Sequence, residues 1–278
     1  MALRINTNVA SINAQRNLTN TTNRLNRSLE RLSSGLRINR AADDAAGLAI
    51  SENLKADIRA LEQSNRNAGD GVSLVQVAEG ALDEVSGILV RMRELAQQAA
   101  NETMGASERS YLNNEFSSLS SEIDRIANST EFNGTNLLDG SGGSVDIQVG
   151  LGTSATDRIS IDLSNTMDTT GLGLNTASLS GADNTNALSA ITAIESAINT
   201  VSSVRADLGA SQSRLESAMR SIQNTIENYS AANSRIRDAD IAAETSSMTS
   251  AQILQQAGVS VLAQANSSPQ MALLLLQG

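Results

Sequence analysis

Apolar side chains recur at every seventh position along two long stretches of this chain. One run of seven positions extends from Leu54 to Ala96, and a second run of seven extends from Ile194 to Ile236. Sustained heptads predict α-helices that pack along an antiparallel coiled-coil seam, and helices of this length predict an elongated rod. The seam residues that carry the prediction are Leu54, Leu61, Val75, Leu82, Leu89, Val201, Leu208, Leu215 and Ile222.

The two ends of the chain each carry a single apolar stripe. At the N-terminus the stripe consists of Leu18, Leu25, Leu29, Leu32 and Leu36, and at the C-terminus it includes Leu254, Val261, Leu262, Leu273 and Leu274. One helix cannot bury such a stripe alone, and a pair of helices still leaves apolar surface exposed. We therefore predict that the terminal helices pair, pack against other copies of the chain, and become ordered on assembly.

Between the heptad runs the period of the apolar residues changes from seven to two. Val145, Ile147 and Val149 alternate with polar residues, and a second alternating run starts at Ile159, which predicts a β-hairpin over residues 144–163. Residues 164–186 are rich in Gly, Thr, Ser and Asn and show no period, which predicts a loop.

Two charged, aperiodic segments, 37–47 and 235–244, are predicted to be connectors. They divide a mainly α chain into a terminal helical pair, 1–44 with 240–278, and a helical rod domain, 45–239.

Composition limits the chemistry that the chain can perform. The sequence has no Cys and no His, which excludes an imidazole base, a thiolate nucleophile and a zinc site built on either ligand. A Ser/Lys dyad would need the single lysine, Lys55, four residues after Ser51 on a helix, where a solvated charge is the simpler interpretation. No phosphate-binding glycine pattern is present. We predict a protein that is not an enzyme and has no cofactor and no metal site.

Charge is distributed unevenly along the chain. The net charge is −10, yet residues 1–42 contain seven Arg and only one acid, which makes that segment +6. A basic, acid-poor N-terminus can indicate a transit peptide or a nucleic-acid or membrane contact. The apolar stripe running through the segment argues instead for a structured helix. We expect no nucleic-acid partner, and the longest terminal apolar run, Met271–Leu276, is too short to span a bilayer.

Five long segments of the sequence resemble bacterial flagellins. They are MALRINTNVASINAQRNL at the start, LERLSSGLRINRAADDAAGLAIS at 29–51, VRMRELAQQAANET at 90–103, EIDRIANSTEFNGTNLLDG at 122–140 and QILQQAGVSVLAQANSSPQMALLLLQG at 252–278. The resemblance covers both halves of the chain. The loop 164–186 stands where other members carry variable outer domains, so the chain resembles a minimal flagellin.

The resemblance implies a structural subunit that is secreted and polymerises into the extracellular filament used for swimming motility. It also implies that the two paired termini form the inner core of that filament. It implies as partners copies of the chain itself, the flagellar export apparatus, an export chaperone on the C-terminal helix, and cap and junction proteins. It also implies contacts with a host innate-immune flagellin receptor through Arg91, Leu95 and Glu115. Val90 replaces a residue that is usually polar there. An ion pair between Arg91 and Glu115, or their solvation, is an equal alternative for those two side chains.

Two other functions compete with the filament subunit. A hook–filament junction protein has similar terminal helices, although the segments RINRAADDAAG and MALLLLQG favour the filament subunit. A generic coiled-coil adaptor would account for the heptads but not for the hairpin or for the apolar ends.

Overall fold

The chain is mainly α-helical, as predicted. The computed structural model describes the backbone of residues 7–277 and the side chains of residues 7–267. In chain order its elements are α1 (Val9–Ser34), α2 (Ala45–Ala99), α3 (Ala106–Ser129), β1 (Glu131–Phe132), β2 (Thr135–Asn136), β3 (Gly143–Gln148), a short 3-10 helix (Ala155–Asp157), β4 (Arg158–Leu163), α4 (Thr185–Arg237) and α5 (Ile241–Gln277).

Local hydrogen bonds fix both ends of α1. The Asn8 side chain accepts a hydrogen bond from the backbone N–H of Ser11 at 3.1 Å and so caps the N-terminus of the helix. At the other end Gly35 adopts a left-handed conformation with φ 71°, and its N–H donates to the carbonyl of Arg31. A glycine enters this conformation without steric cost, so α1 stops at this residue.

Aspartate caps make both connectors shorter than predicted. Asp44 accepts from the N–H of Gly47 at 2.9 Å, so α2 starts at Ala45, inside the predicted connector 37–47. Asp240 accepts from the N–H groups of Ala242 and Ala243, so only residues 238–240 separate α4 from α5. The predicted connector 235–244 was therefore too long. Charged residues without an apolar period are compatible with helix, and the caps set the actual boundaries.

The chain forms two compact units. The first contains the described residues up to Ala56 together with those from Asn228 onward, and the second contains Asp57–Glu227. The first unit thus includes the terminal segments 1–44 and 240–278 and the adjoining ends of α2 and α4.

In the second unit α2 and α4 run antiparallel. Arg93 pairs with Glu195 at 2.8 Å, and further down the helices Arg205 pairs with Asp83 at 3.1 Å. The apolar positions between these ion pairs are buried together with residues of α3. Among the predicted seam positions, those that are buried in this unit are Leu61, Val75, Leu82, Leu89, Val201, Leu208, Leu215 and Ile222. Leu54, which lies in the first unit, is half-buried.

The predicted hairpin is present as β3 and β4. The strands pair antiparallel with Val145 opposite Ile161 and Ile147 opposite Ile159, so their apolar side chains share one face. That face packs against the helical core, where Ile159, Ile161 and Leu163 are buried. The helices supply the cover that a two-stranded hairpin needs in water.

Two features around the hairpin were missing from the sequence prediction. The loop after β4 contributes four buried apolar side chains, those of Met167, Leu172, Leu174 and Leu179. A second, very small hairpin joins β1 to β2 through Asn133 and Gly134, both with positive φ. Neither feature has a periodic apolar pattern, which explains why a search for periodicity did not detect them.

A buried arginine ties the end of α2 to the start of α4. Arg109, on α3, is 2% exposed and donates to the carbonyls of Ala99 at 2.9 Å, Asn101 at 3.3 Å and Ala182 at 3.1 Å. The cation lies at the C-terminal end of α2, where the helix dipole favours positive charge and the last carbonyls lack partners within the helix. Three chain segments are therefore joined by one side chain.

Replacing this guanidinium should destabilise the second unit. We expect Arg109→Met to lower the free energy of unfolding by about 1–3 kcal/mol, because buried carbonyls lose their donor. Urea unfolding followed by circular dichroism measures the change. The control is Arg220→Met on the exposed side of α4, which should shift the midpoint little. Equal effects of the two substitutions would contradict the assigned role.

Candidate functional site

The N- and C-terminal helices lie side by side and antiparallel. At one end the Asn8 amide donates to the carbonyl of Ala265 at 2.7 Å. At the other end Arg31 pairs with Glu244 at 3.5 Å. The pair therefore extends along nearly the whole of α1 and brings the two predicted apolar stripes together.

The seam of this pair follows a heptad pattern on both helices. On α5 the half-buried or buried positions alternate at spacings of four and three, which is the pattern of helices that pack side by side. They are Glu244, Met248, Ala251, Gln255, Gly258, Leu262 and Ala265, and on α1 they include Ala14, Leu18, Leu25, Ser28 and Leu32. Most of these α5 residues are small or polar, so few of the large apolar residues of that helix are buried in the seam.

Gly258 lets the two helices approach closely. A Cβ placed on Gly258 would meet Cδ1 of Leu18 at 3.3 Å, which is tighter than an ordinary contact. The leucine of α1 thus occupies the space left by the missing side chain on α5, a knob in a hole. Leu18 was predicted from the apolar stripe, whereas Gly258 was not, because an isolated glycine in a helix carries no apolar signal.

Large apolar side chains remain exposed on the outside of the pair. Eight of them have between 46% and 60% of their surface accessible, namely Val9, Ile12, Leu29, Ile241, Ile253, Leu254, Val259 and Val261. Isolated apolar side chains are normal on a protein surface, but here they are clustered on two adjacent helices. Such clusters mark contacts with a partner.

The structure divides the residues predicted for assembly into two sets. Leu18, Leu25, Leu32 and Leu262 lie in the seam, whereas Leu29, Leu254 and Val261 point outward. Leu36 follows α1 and is half-buried in the connector. Leu273 and Leu274 lie outside the described side chains. Val9, Ile12, Ile241, Ile253 and Val259 were not predicted, because they lie off the single apolar stripe of each terminal helix.

Charge distinguishes the two helices. Residues 241–277 contain one charged residue, Glu244, and it pairs with Arg31 in the seam. Helix α1, in contrast, carries Arg16, Arg24, Arg27 and Arg31. A helix that is uncharged on all sides is typical of a buried position, so α5 is suited to be surrounded by other chain segments.

The connectors attach this pair to the ends of α2 and α4 within the first unit. The N–H of Arg37 donates to the carbonyl of Arg237 at 2.6 Å, and Leu36 forms an isolated antiparallel bridge with Asp238. Arg237 in turn pairs with Glu52 at 2.6 Å. These bonds hold the two connectors together.

The side chains predicted to contact a host receptor lie on the second unit. Arg91 and Glu115 are exposed and pair with each other at 2.8 Å, and Arg91 also bonds Glu94. These carboxylates raise the pKa of Arg91, Glu115 contributing most. Leu95 is 1% exposed and belongs to the core, so only the two charged side chains are accessible from solvent.

Among the described residues, no group of three or more acidic side chains could hold a metal ion. No helix among the described residues is long and apolar enough to cross a membrane.

Comparison with known proteins agrees with the geometry of the helical pair. Residues 5–142 match the bacterial flagellin N-terminal helical region, and residues 191–276 match the bacterial flagellin C-terminal helical region. A flagellin of Halalkalibacterium halodurans is 48% identical over 273 residues, which cover 98% of this chain and 99% of that protein. The chain belongs to the bacterial flagellin family.

Solved structures support the same fold. The crystal structure of Bacillus cereus flagellin is 34% identical with a TM-score of 0.50, covering 56% of this chain and 88% of that one. A putative flagellar hook-associated protein from Vibrio parahaemolyticus has a TM-score of 0.55 and covers 70% of this chain and 100% of its own. At 16% identity the latter shows only that the fold is shared.

Family membership decides the class of function. Flagellins are structural proteins, so this flagellin is a subunit of the extracellular flagellar filament and not an enzyme. The match to both flagellin regions does not favour the hook–filament junction protein that sequence analysis kept as an alternative.

Filling the space at Gly258 should disturb the terminal pair of this flagellin. We expect Gly258→Leu to weaken the packing of α1 on α5 by about 1–3 kcal/mol, because the new side chain overlaps Leu18. Hydrogen exchange of the amides around Leu25 in filaments reports on this packing and should become faster. Gly258→Ser adds a smaller side chain, so its exchange rate should lie between those of the wild type and Gly258→Leu. An unchanged exchange rate in Gly258→Leu would contradict the close approach.

Proposed function

We propose that this flagellin polymerises through the outer faces of its terminal helical pair, which becomes the inner core of the filament. The observation that carries the proposal is the set of eight exposed large apolar side chains on α1 and α5. Burial of apolar surface is the dominant favourable contribution to protein association, and these faces have no cover within the described chain.

The two helices contribute differently to such a core. Helix α5 carries five of the exposed apolar residues and one charge, whereas α1 carries arginines on its outer side. We place α5 inside, surrounded by other copies, with α1 next to it. Contacts between unlike surfaces of identical subunits continue from copy to copy and produce a helical filament rather than a closed dimer.

Assembly through this pair would order helices α1 and α5 on polymerisation. A two-helix pair with most of its large apolar residues outside the seam gains little from folding alone. Packing against neighbouring copies supplies the missing burial, so we assign the paired conformation of α1 and α5 to the assembled state. Subunits of the filament then contact one another through the terminal pair, and the second unit keeps its own core.

The same proposal includes the other proteins that this flagellin meets. We propose that the flagellar export apparatus delivers the chain, that an export chaperone covers α5 before assembly, and that cap and junction proteins meet the subunit at the filament ends. The exposed apolar face of α5 is a suitable surface for a chaperone. A host innate-immune flagellin receptor would contact Arg91 and Glu115, with the buried Leu95 supporting them from below.

A carboxylate in the seam should block polymerisation. Leu262 occupies a seam position on α5, and we expect Leu262→Asp to abolish elongation of wild-type filament fragments, because it would bury an unpaired charge. Electron microscopy and sedimentation measure elongation. Leu262→Met conserves volume and should elongate normally. Unimpaired polymerisation of Leu262→Asp would refute the assignment of this pair to the filament core.

Hydrogen exchange should distinguish the free subunit from the filament. In dilute monomer we expect amides of Val9–Ser34 to exchange quickly, and in filaments to be protected at least tenfold, as roughly 1.4 kcal/mol of added stability would produce. Amides of the core of the second unit, such as Leu82, should be protected in both states. Strong protection of α1 in dilute monomer would show that assembly is not what orders it.

A further inference from the structure

A groove runs along one side of the terminal helical pair. Its first part, about 460 Å³, is lined by Leu18 and Asn20 of α1 and by Leu254, Ala257 and Val261 of α5. Its second part has a volume of about 470 Å³, and here arginines of α1 face serines of α5. Thr21, Arg24 and Leu254 line both parts, so the two volumes form one continuous groove.

The groove changes character along its length. Around Leu254 and Val261 it is apolar, and both side chains are more than half exposed. Toward the connectors it is cationic. Of the three arginines there, Arg31 pairs with Glu244, whereas Arg24 and Arg27 have no carboxylate partner among the described residues. The groove therefore suits a segment that presents carboxylates at one end and an apolar side chain at the other.

The start of α2 has this arrangement. Asp43 and Asp44 are exposed, and Ile50 is 52% exposed. Asp43 accepts backbone hydrogen bonds through Oδ2, and Asp44 accepts one through Oδ1. The other oxygen of each carboxylate accepts no hydrogen bond within the described part of the chain. The backbone N–H of Arg40 is the main cause that lowers the pKa of Asp43, which keeps this carboxylate ionised.

The spacings of the two surfaces correspond. Leu254 lies level with Thr22, since the neighbouring Gln255 contacts the Thr22 hydroxyl at 3.4 Å. Arg27 is five residues further along α1, about 7.5 Å at the helical rise. Asp44 and Ile50 are six residues apart, about 9 Å by the same rise. Measured along the helix axes, a carboxylate of this segment is thus level with Arg27 when Ile50 is level with Leu254.

We propose that the groove binds the acidic start of α2, residues 43–50, of a second copy of this chain. The inference rests on the proposed assembly through the terminal pair and names one contact within it. Because groove and segment are different surfaces of the same chain, the contact is heterologous and can repeat from copy to copy. Opposite charges at one end fix its direction, and apolar burial at the other end adds affinity.

Cross-linking tests the contact directly, because the chain has no cysteine. Chains with Ile50→Cys and chains with Leu254→Cys are mixed as minor components into wild-type subunits, polymerised and oxidised. We expect a disulfide-linked dimer from filaments and none from the monomer mixture, since a disulfide needs Cβ atoms about 3.5–4.5 Å apart. In the control, Val259→Cys replaces Leu254→Cys. Val259 is as exposed as Leu254 but lies about 140° further around α5.

The outcomes separate this contact from the assembly itself. Filaments that incorporate both cysteine chains without the 50–254 dimer, or with equal 50–259 dimer, would overturn the groove contact and leave assembly through the terminal pair intact. Exclusion of both chains from the filaments would also count against it, because the groove can hold the smaller cysteine. A dimer that forms before polymerisation would show a solution dimer instead of a filament contact.

A charge reversal gives an independent test. Arg27→Glu should slow elongation of wild-type fragments about tenfold, since a like charge would face Asp43 and Asp44 in the neighbour. Arg16→Glu makes the same charge change on an exposed site of α1 that does not line the groove, and its elongation rate should stay near wild type. Equal rates for the two variants would overturn the proposal.

Discussion

The structure depends on one constraint, which is that the terminal helices leave much of their apolar surface uncovered within the described part of their own chain. Their seam is built largely from small and polar residues such as Ala251, Gln255 and Gly258, while Leu254 and Val261 face outward. The second unit has the opposite arrangement, with Leu82, Leu89 and Ile194 fully buried. One part of the subunit therefore has a closed core of its own, and in the proposed assembly the other part is covered by neighbouring copies.

This division explains why a protein without catalytic residues is organised in this way. The core of the second unit is closed by the hairpin, by the loop after β4 and by Arg109. We therefore expect this unit to stay folded both in the free subunit and in the filament. The charges follow the same division, because residues 241–277 hold one charge and most acids lie in the second unit. An uncharged helix suits a crowded interior, and a charged surface suits contact with water.

Much of the fold could be predicted from periodicity, because heptads and alternation report burial on one face. The long helices and the β3–β4 hairpin were predicted for that reason. Features held by single polar residues were not: Asp44 and Asp240 set the helix starts, and Arg109 anchors three segments. At the assembly surface the leucine stripe was visible in the sequence. Gly258 and the outward residues Ile12 and Val259 were not, because the antiparallel partner determines which face is covered.

A reconstruction of the filament by electron cryomicroscopy at side-chain resolution tests the central claim most directly. The account predicts that α1 and α5 form the innermost layer and that Ile253, Leu254 and Val261 are covered by other copies of the chain. Filaments in which these three side chains remain open to solvent, or in which subunits touch only through residues 57–227, would contradict it.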